Sequence, residues 1–353
     1  MNMLRNPKLV AVAVIVLLAV GVAGGAIGNE VGGGFLGSPV AHIQLAAESV
    51  LAKPLVSDMP FVGDFNLTNT MISAWAAILV LGVISYLGTR RMLVVPGQFQ
   101  GAIEVVIEGF LDLAESVAGP EHGRRFFPLV MTIFLFIVTA NWMGILPGFG
   151  TIGRFEPAEE LIEHARHGDE EADLSQIQLQ VFEGGGGLAV LPFGSVDNVM
   201  TAEEYEHTTV EEGKHVGLLV PFFRSANTDL NTPLAIALVA MFMIHFWGLR
   251  ILGAFSHIGK FLNFKEGPIG LFVGILEAVS ELSRVISFTF RLFGNIFAGE
   301  VLLIVMAFLV PLVGLVPFLG LELFVGLIQA FIFAMLTLVF AATAAISHEA
   351  EGH

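Results

Sequence analysis

The sequence contains no cysteine and few charges: 14% of its 353 residues are Asp, Glu, Lys or Arg. Without cysteine there can be no disulfide, thiolate metal site or cysteine nucleophile. A soluble chain carries roughly 25% charge, so the shortage argues against a water-soluble core protein. Basic residues are the scarcer sign, 16 against 32 acidic, for a formal charge of -16. That balance disfavours nucleic acid as a partner. No internal repeat is found, and no phosphate-binding glycine-rich loop, since Gly259-Lys260 lacks the first glycine and the Ser/Thr of that motif. What is present is apolar: 55% of residues are hydrophobic and the mean hydropathy is strongly positive. Several uninterrupted apolar runs place the chain among all-α, polytopic transmembrane proteins.

Residues 1–27 read as a signal-peptide-like or anchor segment, with Arg5 and Lys8 ahead of an apolar run from Leu9 to Ala23. Residues 28–67 are a Gly-rich external lead-in. Residues 68–150 hold the first spans, Thr68 to Leu87 and Phe126 to Leu146. Between them Glu104, Glu108, Asp112 and Glu115 alternate at helical spacing with Ile103, Val106, Ile107, Phe110 and Leu111. That pattern predicts an amphipathic helix over Gly97 to Gly119, laid along the membrane surface. Residues 151–226 carry 15 Asp/Glu against four Lys/Arg and a four-glycine run. They read as an acidic external insertion, with local packing expected at Leu188 to Phe193 and Val216 to Phe223. Four histidines there, His164, His167, His207 and His215, have no ligand spacing. Residues 227–265 contain a central span, Asn231 to Ile251, for which Asp229 and Asn231 are expected caps.

Residues 266–346 form a tilted helical hairpin, and 347–353 a tail. The first arm runs from about Pro268 to Leu309, ~60 Å at 1.5 Å per residue. That is about twice the hydrocarbon thickness. No proline interrupts it, so one long tilted helix is expected. Pro311 to Gly320 makes the turn and Leu321 to Ile346 the second arm. Basic residues cluster at Arg90/Arg91, Arg124/Arg125, Arg250, Lys260 and Lys265, which makes those ends and the C-terminal tail cytoplasmic.

The chemistry concentrates on the first arm. Glu277, Arg284 and Arg291 are seven apart and share a stripe, which Ser280, Ser287, Gly294, Asn295 and Ala298 extend. Glu300 points to the other side. On the second arm Glu322 and Gln329 share a face. One charge at a helix centre costs about 2.5–3.5 kcal/mol on insertion scales, so two arginines and several carboxylates must face protein or water. Arg284 has Glu281 and Glu277 as candidate partners. Such residues mark an ion pathway by default. His348, Glu349 and His353 do not share a helix face and form no zinc motif. No metal or cofactor is expected.

Residues 290–300, Phe-Arg-Leu-Phe-Gly-Asn-Ile-Phe-Ala-Gly-Glu, resemble the signature of subunit a of F-type ATP synthases. So do 277–284 before it, 329–337 after it and the run 225–231. The resemblance covers roughly 65–150 and 220–350. It implies a tilted hairpin packed on a ring of c subunits, with two aqueous half-channels leading to the ring carboxylates. It implies ion translocation coupled to ring rotation, peripheral-stalk b subunits and the other synthase subunits as partners, and residence in the lipid bilayer of a bacterial inner membrane; H⁺ is favoured over Na⁺, because the chain offers titratable carboxylates and no oxygen-rich cation cage. Nucleotide chemistry then lies in another chain, and this one is not an enzyme by itself. Arg291 matches the family's essential arginine. Asn295, Glu300 and Gln329 match polar pathway positions, and Glu322 a His/Glu position. Glu277 and Arg284 match a carboxylate and a basic residue near the cytoplasmic half-channel. Val285 departs from the proline that many members carry, and the insertion and N-terminal lead are long. An ion-coupled secondary transporter is the alternative; duplicated halves and paired broken helices, which would favour it, are not found. A membrane scaffold would leave the intramembrane charges unexplained.

Overall fold

A computed structural model describes residues 15–17, 19–20, 47–51, 54–59, 63–90, 92–146, 149–150, 152–168, 177–183, 188–190, 196–208, 210, 214–253, 259, 267–309 and 314–345. Of the N-terminal segment only 15–17 and 19–20, both helical, belong to these; the tail 347–353 and its histidines lie outside them.

Low charge and unbroken apolar sequence produce helices wherever the chain is free of Gly and Pro clusters. The first, α1, is Asn69–Thr89. The run Gln98–Gly144 is broken at Gly119, whose φ of 77° takes it out of the helical region. It divides into α2 (98–118) and α3 (120–144). Pro120 follows the break, where its missing N–H costs no helical bond. A Cβ at Gly123 would come within 2.6 Å of the Ala114 carbonyl oxygen, so the two helices meet backbone to backbone at this corner. The expected amphipathic helix is thus a separate piece. Later come α6 (Asn231–Leu252), α7 (Gly267–Leu309) and α8 (Leu315–Ala345). Counting Gln98–Gly144 as one run, five helices among the described residues are long and apolar enough to cross a membrane.

α7 is one continuous helix of 43 residues, as its lack of internal proline implies. The second arm starts earlier than its sequence pattern suggested. α8 begins at Leu315 rather than Leu321, and Pro317 sits in its first turn, where no helical N–H bond is needed. The expected caps of α6 are also corrected. The cap position is Leu230, with no capping side chain; Asn231 Nδ2 instead donates to the Asp229 carboxylate at 3.2 and 3.3 Å.

The chain forms two compact units. One comprises 74–142, 226–296 and 325–353. Its core is an apolar cluster including Phe126, Ile137, Ile244, Leu292, Phe333 and Leu338, all at 2% exposure or less. Phe126 packs at a tilt against Trp247 with ring centroids 4.5 Å apart, and Phe288 against Phe333 at 4.8 Å.

The other unit comprises 1–73, 143–225 and 297–324. Here the acidic insertion, expected as a water-exposed segment with some packing, builds a five-stranded antiparallel sheet of order β5-β3-β7-β4-β6. Its strands are β3 (Ile152–Pro157), β4 (Gln178–Glu183), β5 (Leu188–Val190), β6 (Val196–Thr201) and β7 (Lys214–Pro221), preceded in the chain by a small hairpin of β1 (Val56–Met59) and β2 (Gly63–Phe65). Helices α4 (Ala158–Gly168) and α5 (Ala202–His207) supply Ala158, Ile162 and Ala202 to a core with Leu179, Val181 and Val216. Thr201 caps α5 in a reciprocal capping box with Glu204. The acidic residues outnumber this small core, which is why composition concealed the sheet. The expected packing at Val216 to Phe223 corresponds to most of β7; 191–195 lie outside the described residues.

Candidate functional site

The sequence-derived site residues fall into two groups, one in each unit.

In the unit containing the sheet, Glu300 and Glu322 come from α7 and α8. Arg224, at the end of the segment that follows β7, clasps Glu300. Its Nε donates to Oε1 and Oε2 at 3.2 and 3.3 Å, and its Nη2 to Oε2 at 3.2 Å. Arg224 is 7% exposed and the Glu300 side chain 29%. A forked guanidinium fits a carboxylate in this way where an ammonium does not. Glu322 is buried at 8% exposure, its carboxylate pressed on Gly299, the neighbour of Glu300. A Cβ at Gly299 would lie within 2.0 Å of Glu322 Oε2, so only glycine admits this approach. The charges of Glu322 and Glu300 interact. The two carboxylates assigned from sequence to neighbouring arms are therefore brought together.

A further carboxylate joins this group. Glu48, in the stretch read as an external lead-in, is 9% exposed and accepts a hydrogen bond from Asn69 Nδ2 at 3.1 Å. Arg224, Glu156 and Glu300 all act on it electrostatically. Burial, the largest influence, outweighs the Arg224 charge and pushes its pKa up to about 7. Sequence reasoning missed both Arg224 and Glu48. Arg224 had a signal: it is a lone base between an apolar strand and the polar run 225–231. Glu48 had none.

In the other unit Asn295 Nδ2 donates to Gln329 Oε1 at 2.8 Å, joining α7 to α8. Gln329 is 3% exposed, and its Nε2 has no partner among the described residues. Asn227 Nδ2 donates to Asn141 Oδ1 at 2.7 Å, and Asn141 Nδ2 to the Gly326 carbonyl at 3.1 Å. These buried amides tie α3 and the turn before α6 to α8. Polar bonds of this kind fix helix pairs where lipid offers no hydrophobic drive.

Arg291 stands apart. Phe288, Leu292 and Ile296 are buried on the neighbouring face of α7, whereas Arg291, Ser287 and Asn295 are exposed. Arg291 Nη2 lies 3.4 Å from Ser287 Oγ, and no carboxylate pairs with it among the described residues. Arg284 settles its choice of partner: it binds Glu281, one turn away, with its guanidinium 4.6 Å over the Phe340 ring. His245 Nε2 on α6 approaches the same Glu281 at 3.8 Å. Glu277 is half-buried and is not joined to Arg284. The stripe read from sequence is thus half-buried at Glu277, Ser280, Arg284 and Gly294 and exposed at Ser287, Arg291, Asn295 and Ala298.

The chain is 28% identical over 281 residues to an ATP synthase subunit a of Gloeobacter violaceus, covering 80% of this chain and 85% of the relative. It is 27% identical over 295 residues to one of Helicobacter pylori, covering 82% and 95%. A third, from Solidesulfovibrio magneticus, is 26% identical over 275 residues, covering 77% and 82%. Residues 70–342 match the family described as ATP synthase A chain, so this chain belongs to that family.

Proposed function

We infer that the chain is the proton-translocating, membrane-sector subunit of a rotary ATP synthase, and that Arg291 is its central residue. The observation that carries this is the exposed Arg291 guanidinium, with which no carboxylate pairs among the described residues, in the middle of an apolar 43-residue helix. A charge there needs a partner, and the small residues flanking it leave room for one from another subunit. A ring of c subunits, each bringing a carboxylate, fits that need. A carboxylate passing Arg291 is favoured in its ionised form and releases its proton there. The fixed charge also bars protons from running straight from one side to the other.

In this reading the Glu300–Glu322 group serves the half-channel open to the outside, and Glu277 and Arg284 the cytoplasmic one. Asn295 and Gln329 line the path near the ring. The acidic sheet faces outward and the C-terminal tail the cytoplasm of a bacterium, in its inner membrane. Peripheral-stalk b subunits hold the chain against the turning ring. A secondary transporter would not require a carboxylate from a second subunit.

The test replaces Arg291 in the assembled complex. Arg291→Ala abolishes ATP synthesis and opens a passive proton leak in vesicles. Arg291→Lys also fails to couple, because lysine loses the planar fork and deprotonates when desolvated. Near-normal coupled synthesis in Arg291→Ala would overturn the reading.

A further inference from the structure

Glu48 lies about twenty residues ahead of α1, yet it is held as firmly as a core residue. Its main-chain carbonyl accepts the Asn69 N–H at 3.1 Å, Val50 N–H donates to the Leu67 carbonyl at 2.9 Å, and Ser49 bridges Thr68. These contacts clip the segment across the head of α1. They serve to place one carboxylate where Arg224, Glu156 and Glu300 act on it. A segment needed only as a strap would bury an apolar side chain here, since burying a carboxylate costs free energy unless it is used or fully paired. Arg224 is already engaged by both oxygens of Glu300.

Beside Glu48 a second feature points to water. Asn69 is fully buried, and its Oδ1 has no hydrogen-bond donor among the described residues. A buried acceptor of this kind is where an ordered water completes the bonding. A carboxylate next to a water-seeking acceptor, within the field of an Arg–Glu pair, has what a proton relay requires.

We propose that Glu48 is a proton-exchanging residue of the path that leads to Glu300 and Glu322, supplied by the segment before the first span. Glu48 takes a proton from water on the outer side and passes it through water to the Glu300 carboxylate. It returns to its ionised form, so no net charge or atom accumulates. Its pKa near 7 leaves it able to both accept and release a proton at neutral pH. Asn69 donates to the ionised form and so restrains the upward shift. This inference rests on the proton-channel reading above.

The experiment measures ATP-driven proton pumping against external pH in vesicles containing the whole synthase, with assembly checked. Glu48→Gln keeps an oxygen for Asn69, so the strap survives while the exchangeable proton is lost. It should lower pumping severalfold and remove the inflection near pH 7; Glu48→Asp should retain the inflection. Asn69→Ala keeps Glu48 and removes the bond that favours its ionised form, so the inflection should move to higher pH. An unchanged rate and pH profile in Glu48→Gln, or an unmoved inflection in Asn69→Ala, overturns the proposal. Arg291→Ala is run in parallel. If it uncouples while Glu48→Gln behaves as wild type, only the Glu48 proposal falls; if it still couples, the channel reading itself falls.

Discussion

Arg224 holds both carboxylate oxygens of Glu300, across 76 positions of sequence, in a forked ion pair that is almost closed to solvent on the arginine side. Removing one partner of such a pair leaves the other buried and uncompensated. Arg224→Ala should therefore slow ATP-driven pumping about tenfold or more, ~1.4 kcal/mol of barrier. Arg224→Lys keeps a charge but not the fork and should fall between. The pair acts as a unit, so Arg224→Ala combined with Glu300→Gln should cost less than the two changes multiplied. Independent, fully multiplicative losses would show that the ion pair does not serve proton transfer.

Glu322 depends on the absence of a side chain at Gly299. Gly299→Ala places a methyl group against the carboxylate and must push Glu322 or α7 aside. Pumping should fall in assembled complexes, and Gly299→Val should fall further. Replacing Glu300 and Glu322 together with Gln should also slow pumping while assembly is kept. Undiminished pumping in that double variant would remove both carboxylates from the path.

The Asn295–Gln329 bond separates two roles. Asn295→Ala strips the buried Gln329 of its donor, at a cost of about 1–3 kcal/mol for an unsatisfied buried amide. Thermal unfolding of the detergent-extracted complex should move down accordingly. Adding Gln329→Leu removes the orphaned group and should restore much of the stability. Pumping should stay low in the stable double variant if these amides line the proton path. Recovery of pumping along with stability would make them helix ties alone.

The sheet can be shortened along its own hydrogen-bond register. Pro157 on β3 is opposite Gly217 on β7. Replacing 158–216 with Asn-Gly, a pair suited to a two-residue hairpin, keeps Glu156, the strand pairing above it and Arg224 in place. Pumping in vesicles should remain near wild type. Loss of flow in a normally assembled complex would show that β4, β5, β6 and the short helices shape the external entrance.

The helical plan was legible because each of its signals is local. Apolar length marks α1, α3 and α6; the lack of proline marks α7 as unbroken; the amphipathic pattern that ends at Gly119 marks α2 as separate from α3. The stripe around Arg291 follows from the 3.6-residue period alone. The α8 start at Leu315 was misjudged because proline near a helix start breaks nothing. The five-stranded sheet was hidden by acidity, since six buried residues form its central cluster among the described residues.

Sequence by itself thus determined the membrane class and the long unbroken helix, and it singled out Arg291, Asn295, Glu300, Glu322 and Gln329 as candidates through repeating local pattern and one specific motif. Tertiary structure alone decided their partners. It chose Arg224 for Glu300, Gln329 for Asn295 and Glu281 for Arg284, and it brought Glu48 from outside the spans into the field of a buried ion pair. The physical reason is that a charge in a dry interior must find an opposite charge or a donor nearby in space, and distance along the chain does not enter that requirement.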